Sequence, residues 1–167
     1  MSEPRIVVTG PELLARGHRG VEPLVQELIE TAKQEVQLVA YVLTPSAQRI
    51  LDLLGDAAER GVRVSMIVNR LEDHEERVRR WLKEAGSRWK MFRVFDFSSP
   101  DRRELHAKVC ISDRRRAVVG SANFSWGGLV SNYEVGVELE GHAAWRLAEV
   151  VDELLQMAQP VSSGTEP

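Results

Sequence analysis

VQLVAYVL at 36–43 is an apolar run broken only by Gln37, and VRVSMIV at 62–68 is the next stretch that reads as a buried strand. A half-exposed strand alternates apolar and polar residues, so a run like the first indicates a strand covered on both faces. The segment between them, TPSAQRILDLLGDAAERG, puts Ala47, Ile50, Leu51, Leu54 and Ala58 on one helical face. Thr44 is its expected N-cap, Pro45 occupies the first helical position and Gly61 ends it. Strand, helix and strand in this order call for parallel strands joined by a right-handed crossover.

The pattern extends in both directions. RIVVTG reads as a short first strand, and GVEPLVQELIETAKQE carries Val21, Leu24, Val25, Leu28, Ile29 and Ala32 at helical spacing. EDHEERVRRWLKEAG predicts a helix that buries Val78, Trp81, Leu82 and Ala85 and stops at Gly86, with MFRVF as the strand after it. Beyond residue 100 the rhythm changes. LHAKVCIS and AVVGSA are separated only by DRRR, too short for a helical crossover, so they form an antiparallel hairpin. NYEVGVELE adds a strand, and a last helix has Leu147, Val150, Val151, Leu154, Leu155 and Ala158 on one side. The fold class is α/β: a single domain with a mixed parallel and antiparallel sheet flanked by helices. It spans residues 1–158, with 159–167 expected to be a disordered tail.

One cysteine, Cys110, excludes an internal disulfide framework and a multi-cysteine zinc site. No segment reaches the ~20 apolar residues of a membrane span, and the N-terminus is not a secretory signal, so a cytoplasmic location is expected. Net charge is −3, but it is unevenly spread. Residues 61–130 hold 15 basic and 9 acidic side chains, whereas residues 131–167 hold 1 and 7. The positive excess falls where a phosphate-bearing substrate would need it, though a solvated surface gives the same count.

Within ELHAKVCISDRRRAVVGSAN, 104–123, strand alternation turns Leu105, Ala107, Val109 and Ile111 towards a core and His106, Lys108 and Cys110 the other way. Across the hairpin, Ser121 and Asn123 again share a face. Together these groups suit phosphodiester cleavage. Lys108, Ser121 and Asn123 can hold non-bridging oxygens, and His106 can attack phosphorus or shuttle a proton. Glu134, on the following strand, is the candidate to fix the tautomer of His106.

The spacing His106-x-Lys108-x4-Asp113-x6-Gly120-Ser121-x-Asn123 resembles the HxKx4Dx6GSxN signature of the phospholipase D superfamily at every defining position. NFSWGGLVSNYEVGV and AYVLTPSAQRILDLLGDAAERGVRVSMIV resemble the segments that flank the motif in small, single-motif bacterial nucleases of that superfamily. The resemblance implies a phospholipase D-like fold and a homodimer with two motifs at the dyad. It also implies a covalent phosphohistidine formed by one histidine while its mate protonates the leaving oxygen. No metal and no cofactor are implied. A looser resemblance, through VVTGPE and NYEVGVEL, connects the chain to the phospholipase D-like component of DISARM-type phage-defence islands.

The expected activity is therefore a metal-independent phosphodiesterase, with nucleic acid as the favoured partner and no stable membrane association. Alternatives are a cardiolipin or phospholipid hydrolase, and a nucleic-acid-binding or scaffold subunit of a phage-defence complex. Asp113 and Gly120 are expected to be structural. Cys110 reads as a small buried hydrophobe and Trp126 as a residue at the rim of the site. Arg114, Arg115 and Arg116 are either a clamp on a nucleic-acid backbone or a polar turn.

Overall fold

A computed structural model describes residues 3–162. In chain order the elements are β1 (Arg5–Thr9), α1 (Pro11–Leu14), β2 (Arg19–Gly20), α2 (Val21–Thr31), β3 (Glu35–Ala40), α3 (Gln48–Glu59) and β4 (Arg63–Asn69). They continue with α4 (Glu76–Arg88), β5 (Phe92–Phe97), β6 (Val109–Ser112), β7 (Arg116–Gly120), β8 (Glu134–Glu140), α5 (His142–Met157) and β9 (Gln159–Pro160). All the strands join one sheet in the order β2-β1-β8-β7-β6-β3-β4-β5-β9.

The two stretches are neighbours: β3 pairs with β4 in parallel, Val36 opposite Val64 through Ala40 opposite Val68, and β4 pairs with β5 in parallel. Val36 and Leu38 face a large core beneath α2, α3 and α4, whereas Val39 and Ile67 face a smaller one beneath α5. That double covering is the reason the first run does not alternate. The expected hairpin forms as β6–β7, Cys110 opposite Val118, and β8 completes an antiparallel meander that leads to β1.

Several expectations are corrected. β1 runs in the same direction as β3 but is not its neighbour, because the meander β6–β7–β8 lies between them and β1 pairs antiparallel with β8. α3 is preceded by a 3-10 turn, Pro45–Ala47, and the Thr44 hydroxyl caps no backbone group, lying 2.7 Å from that of Ser46. α4 runs past Gly86 to Arg88. Its end is set by packing rather than by glycine, since Trp89 stacks on Phe92 and covers Gly55 so closely that a Cβ there would meet its ring at 2.6 Å. On α5, only Val150 of the expected stripe faces solvent; Leu147, Val151, Leu154, Leu155 and Ala158 pack on the core as expected, joined by Ala144 and Ala148. At the C-terminus, Gln159 and Pro160 pair with Asp96 and Phe95 as an edge strand, where disorder was expected; residues 163–167 of that expected tail lie outside the described residues.

Candidate active site

β6 begins only at Val109, four residues later than the apolar pattern suggests. Its ladder with β3 ends at the pair Val39 and Val109, because β3 leaves the sheet after Ala40. His106 and Lys108 therefore sit on an extended segment just outside the sheet, beside the C-terminal ends of β3 and β4. Binding crevices in open α/β sheets form at such places. Two buried contacts fix this segment. Leu105 packs into the core under α5, and its N–H donates to Asn69 Oδ1 at 2.8 Å. Asn69 escaped the sequence reading; a polar residue closing an apolar strand was the available signal.

His106 is exposed, while Lys108 is only 7% exposed. The Lys108 ammonium donates to the His106 carbonyl at 2.7 Å and lies 2.8 Å from Nδ1 of the ring. Tyr41 packs on the other side: its ring centroid is 4.1 Å from that of His106, and Lys108 Nζ lies 4.9 Å from the same ring. Tyr41 was read only as part of a strand. Burial lowers the pKa of Lys108, with the Glu134 charge acting in the opposite direction.

Ser121 and Glu134 meet across β7 and β8. The Ser121 hydroxyl donates to Glu134 Oε2 and accepts from the Val135 N–H at 3.2 Å. Asn132 Nδ2 reaches the other carboxylate oxygen at 3.3 Å. The expected hydrogen bond from His106 to Glu134 is not formed among the described residues. Glu134 is held by Ser121 and Asn132, and the imidazole is held by Lys108 and Tyr41. Asn123 is half-buried, with its Oδ1 buried and without a hydrogen-bond partner among the described residues. Its backbone is locked by a π-helical turn, Gly127–Ser131, in which a Cβ at Gly128 would fall 2.1 Å from the Asn123 carbonyl oxygen. Only glycine permits that approach.

The remaining motif positions have structural partners. Gly120 faces Gly136 across the ladder, and a Cβ on Gly120 would meet the Gly136 Cα at 2.6 Å. Asp113 sits in the β6–β7 turn with φ of 52°, and its carboxylate accepts from the N–H groups of Lys33, Gln34 and Glu35. Burial alone would raise its pKa, but these three donors outweigh that and hold the carboxyl below its usual range. In the same turn Arg114 pairs with Asp152 and Glu35, and Arg116 with Glu138 and Glu27. Two of the three arginines are thus tied to the protein's own carboxylates at the far end of β6 from His106, against the clamp reading. Cys110 is fully buried, and desolvation pushes its thiol up to about 12. Trp126 is 61% exposed.

His106 and Lys108 thus meet just beyond β6, and Ser121 and Glu134 meet across β7 and β8. The sequence pattern of the family described as "Cardiolipin synthase, PLD-like domain" matches residues 25–158. The chain belongs to the phospholipase D-like family. This phospholipase D-like chain is 26% identical over 158 residues to the DISARM protein DrmC of Bacillus paralicheniformis, with 93% of the chain and 64% of the relative covered. It therefore spans less than two thirds of that relative's length. The crystal structure of Nuc from Salmonella typhimurium, a phospholipase D family member, superposes with a TM-score of 0.72 at 25% identity, over 96% of this chain and 100% of that one. NucT from Helicobacter pylori shares the fold, with a TM-score of 0.74 at 18% identity over 94% and 99% of the two chains.

Proposed function

We propose that the protein is a phosphodiesterase that cleaves nucleic acid through a phosphohistidine, with two copies completing the active site. The observation that carries this reading is the contact of the exposed His106 with the buried Lys108 ammonium just beyond the end of β6, where the Lys108 carbonyl accepts from the Gly120 N–H of the strand that leads to Ser121 and Asn123. A His106 ring nitrogen forms a bond to phosphorus as the bond to the leaving oxygen breaks, and that oxygen takes a proton from His106 of the partner subunit. Water then attacks phosphorus, giving its proton to the same partner histidine, and the nitrogen–phosphorus bond breaks. An arriving phosphate draws the Lys108 ammonium from the imidazole to its own oxygens and frees Nδ1. Lys108 and Asn123 then hold the charge that builds on those oxygens.

Glu134 keeps the Ser121 hydroxyl in place and supports the ammonium form of Lys108. A second copy finds apolar surface close by, since Tyr133 and Val135 flank Glu134 and are 66% and 57% exposed. The likeness to small single-motif bacterial nucleases favours nucleic acid over lipid. The DrmC relationship adds a second possible setting, a phage-defence complex.

The test is cleavage of end-labelled single- and double-stranded DNA and RNA in excess EDTA, beside His106→Ala, with the mass of the free protein measured by light scattering. Cleavage that survives EDTA, disappears in the variant and accompanies a dimer supports the reading. Hydrolysis of bis-p-nitrophenyl phosphate without cleavage of any nucleic acid removes the substrate assignment. A folded dimer inert towards every diester favours a scaffold role.

A further inference from the structure

Beside His106 a cleft of about 230 Å³ opens between the ends of β3 and β4 and the segment that carries the motif. Its walls include Tyr41, Thr44, Asn69, His74 and Glu104. Tyr41 forms the boundary with the reactive centre, packing on His106 while its hydroxyl donates to Glu104 at 3.2 Å. The cleft therefore begins where a phosphodiester attacked by His106 would place its next group.

The lining contains three carboxylates, Asp73, Glu75 and Glu104, and no lysine or arginine. Arg70 stands behind it, 3.6 Å from Asp73 and 3.9 Å from Glu104. A second phosphate would be repelled here, so the cleft accepts an uncharged group that carries hydrogen-bond donors.

Two further polar groups lack partners among the described residues. Asn69 is 5% exposed, and its Oδ1 is taken by the Leu105 N–H. Its Nδ2 donates to nothing else among the described residues. His74 has Nδ1 at 3.2 Å from the Arg70 carbonyl, while its buried Nε2 has no partner. The Asn69 amide donor, at the cleft wall, is therefore available to a ligand, and the buried His74 nitrogen is costly to leave without one. Glu104 as acceptor and Asn69 Nδ2 as donor form the complement of a base edge with an amino group beside a ring nitrogen. Carboxylates accept from the cytosine amino group, and asparagine pairs with the adenine edge.

We propose that this cleft is a base-reading subsite that holds the nucleobase flanking the cleaved phosphate and favours bases with an exocyclic amino group over thymine or uracil. The proposal rests on the nuclease reading above. A thymine or uracil carbonyl in this place would face the Glu104 carboxylate with no proton between them, and discrimination by an unpaired polar group is strong. Reading a base edge requires it to be unpaired, so single strands are the preferred form.

The experiment maps cut positions on one end-labelled, mixed-sequence single strand, using the full chain and Glu104→Gln, with bis-p-nitrophenyl phosphate as a diester without bases. Glu104 lies on an exposed segment, and thermal melts of both proteins verify folding. The expected result is cutting beside adenine, cytosine and guanine at least about fivefold faster than beside thymine, the low end for a paired base contact. In Glu104→Gln that preference falls towards one. Cuts spread evenly over all four bases in the wild type, or a preference unchanged in the variant, overturn the subsite while leaving the nuclease reading intact. Hydrolysis of the base-free diester with no cutting of the strand overturns both.

Discussion

The two ends of the β6–β7 hairpin use the same kinds of residue for opposite purposes. At the turn, Asp113, Arg114 and Arg116 are closed into the protein: three backbone donors meet one carboxylate, and each of these arginines meets two acids. The centre of that region is Glu138, 1% exposed, which Arg5, Arg19 and Arg116 surround. At the open end His106 is exposed, and among the described residues Lys108 has only His106 as a hydrogen-bond partner and Asn123 Oδ1 has none. Charges that satisfy one another stabilise the fold, while polar groups left incomplete are available to a substrate. Positive charge in the sequence therefore does not by itself mark the binding face.

The contrast can be broken most strongly at the open end. His106→Ala is expected to lower kcat for phosphodiester cleavage at least about a thousandfold, the range for losing a nucleophile or proton-transfer group, with the melting temperature nearly unchanged. Steady-state kinetics beside a thermal melt reads both quantities.

At the closed end the order reverses. Glu138→Ala leaves Arg5, Arg19 and Arg116 without the buried acid they surround, with Glu27 alone still joining Arg19 to Arg116, and is expected to cost roughly 2–4 kcal/mol in urea unfolding. That is somewhat below the value for a fully buried pair, because the arginines retain contact with water. Asp113→Ala removes the acceptor of three N–H groups and should cost about 1–3 kcal/mol at neutral pH. The carboxyl titrates below its usual range when folded. Its contribution is therefore present above the unfolded value of about 3.9 and is lost as pH falls through the lower folded value, so wild type and variant converge in acid. A constant gap down to the acid limit would show that Asp113 acts through packing instead.

Two smaller effects sharpen the picture of the hairpin's open end and of the core beside it. Because burial lowers the pKa of Lys108, its phosphate-holding charge disappears as pH rises through a value below the ~10.4 of a free lysine. The alkaline limb of kcat/KM should fall correspondingly early, move outward in Lys108→Arg and move further inward in Glu134→Gln, where the opposing charge is gone. Cys110 lies on the same strand face as Lys108 yet is buried, with its thiol pushed up to about 12. A thiol-specific disulfide reagent should leave the native protein unmodified and react once urea unfolds it.

How much was legible beforehand follows from the range of each signal. Strand alternation is local, so the division of 105–111 into a core set and a site set is readable without coordinates, as are the doubly covered β3 and β4. The start of β6 was not readable, because it depends on where β3, far away in sequence, turns out of the sheet. That Ser121 holds Glu134 was not readable for a related reason: the strand of Glu134 was identified, but the register that sets Gly120 opposite Gly136, and so Ser121 beside Glu134, is decided by pairing. The glycine at Gly128 and the tyrosine at Tyr41 carry no local mark of their tasks, which are to admit the Asn123 backbone and to wall the imidazole.

The sequence by itself determined the chemistry on offer and its spacing, since residue types and a two-residue period need no tertiary partner. Only the tertiary structure decided which charges are closed off and which are available. Arg114 meets Asp152 and Arg116 meets Glu27 across long separations, and such pairings exist only once strand order and register have brought those side chains together.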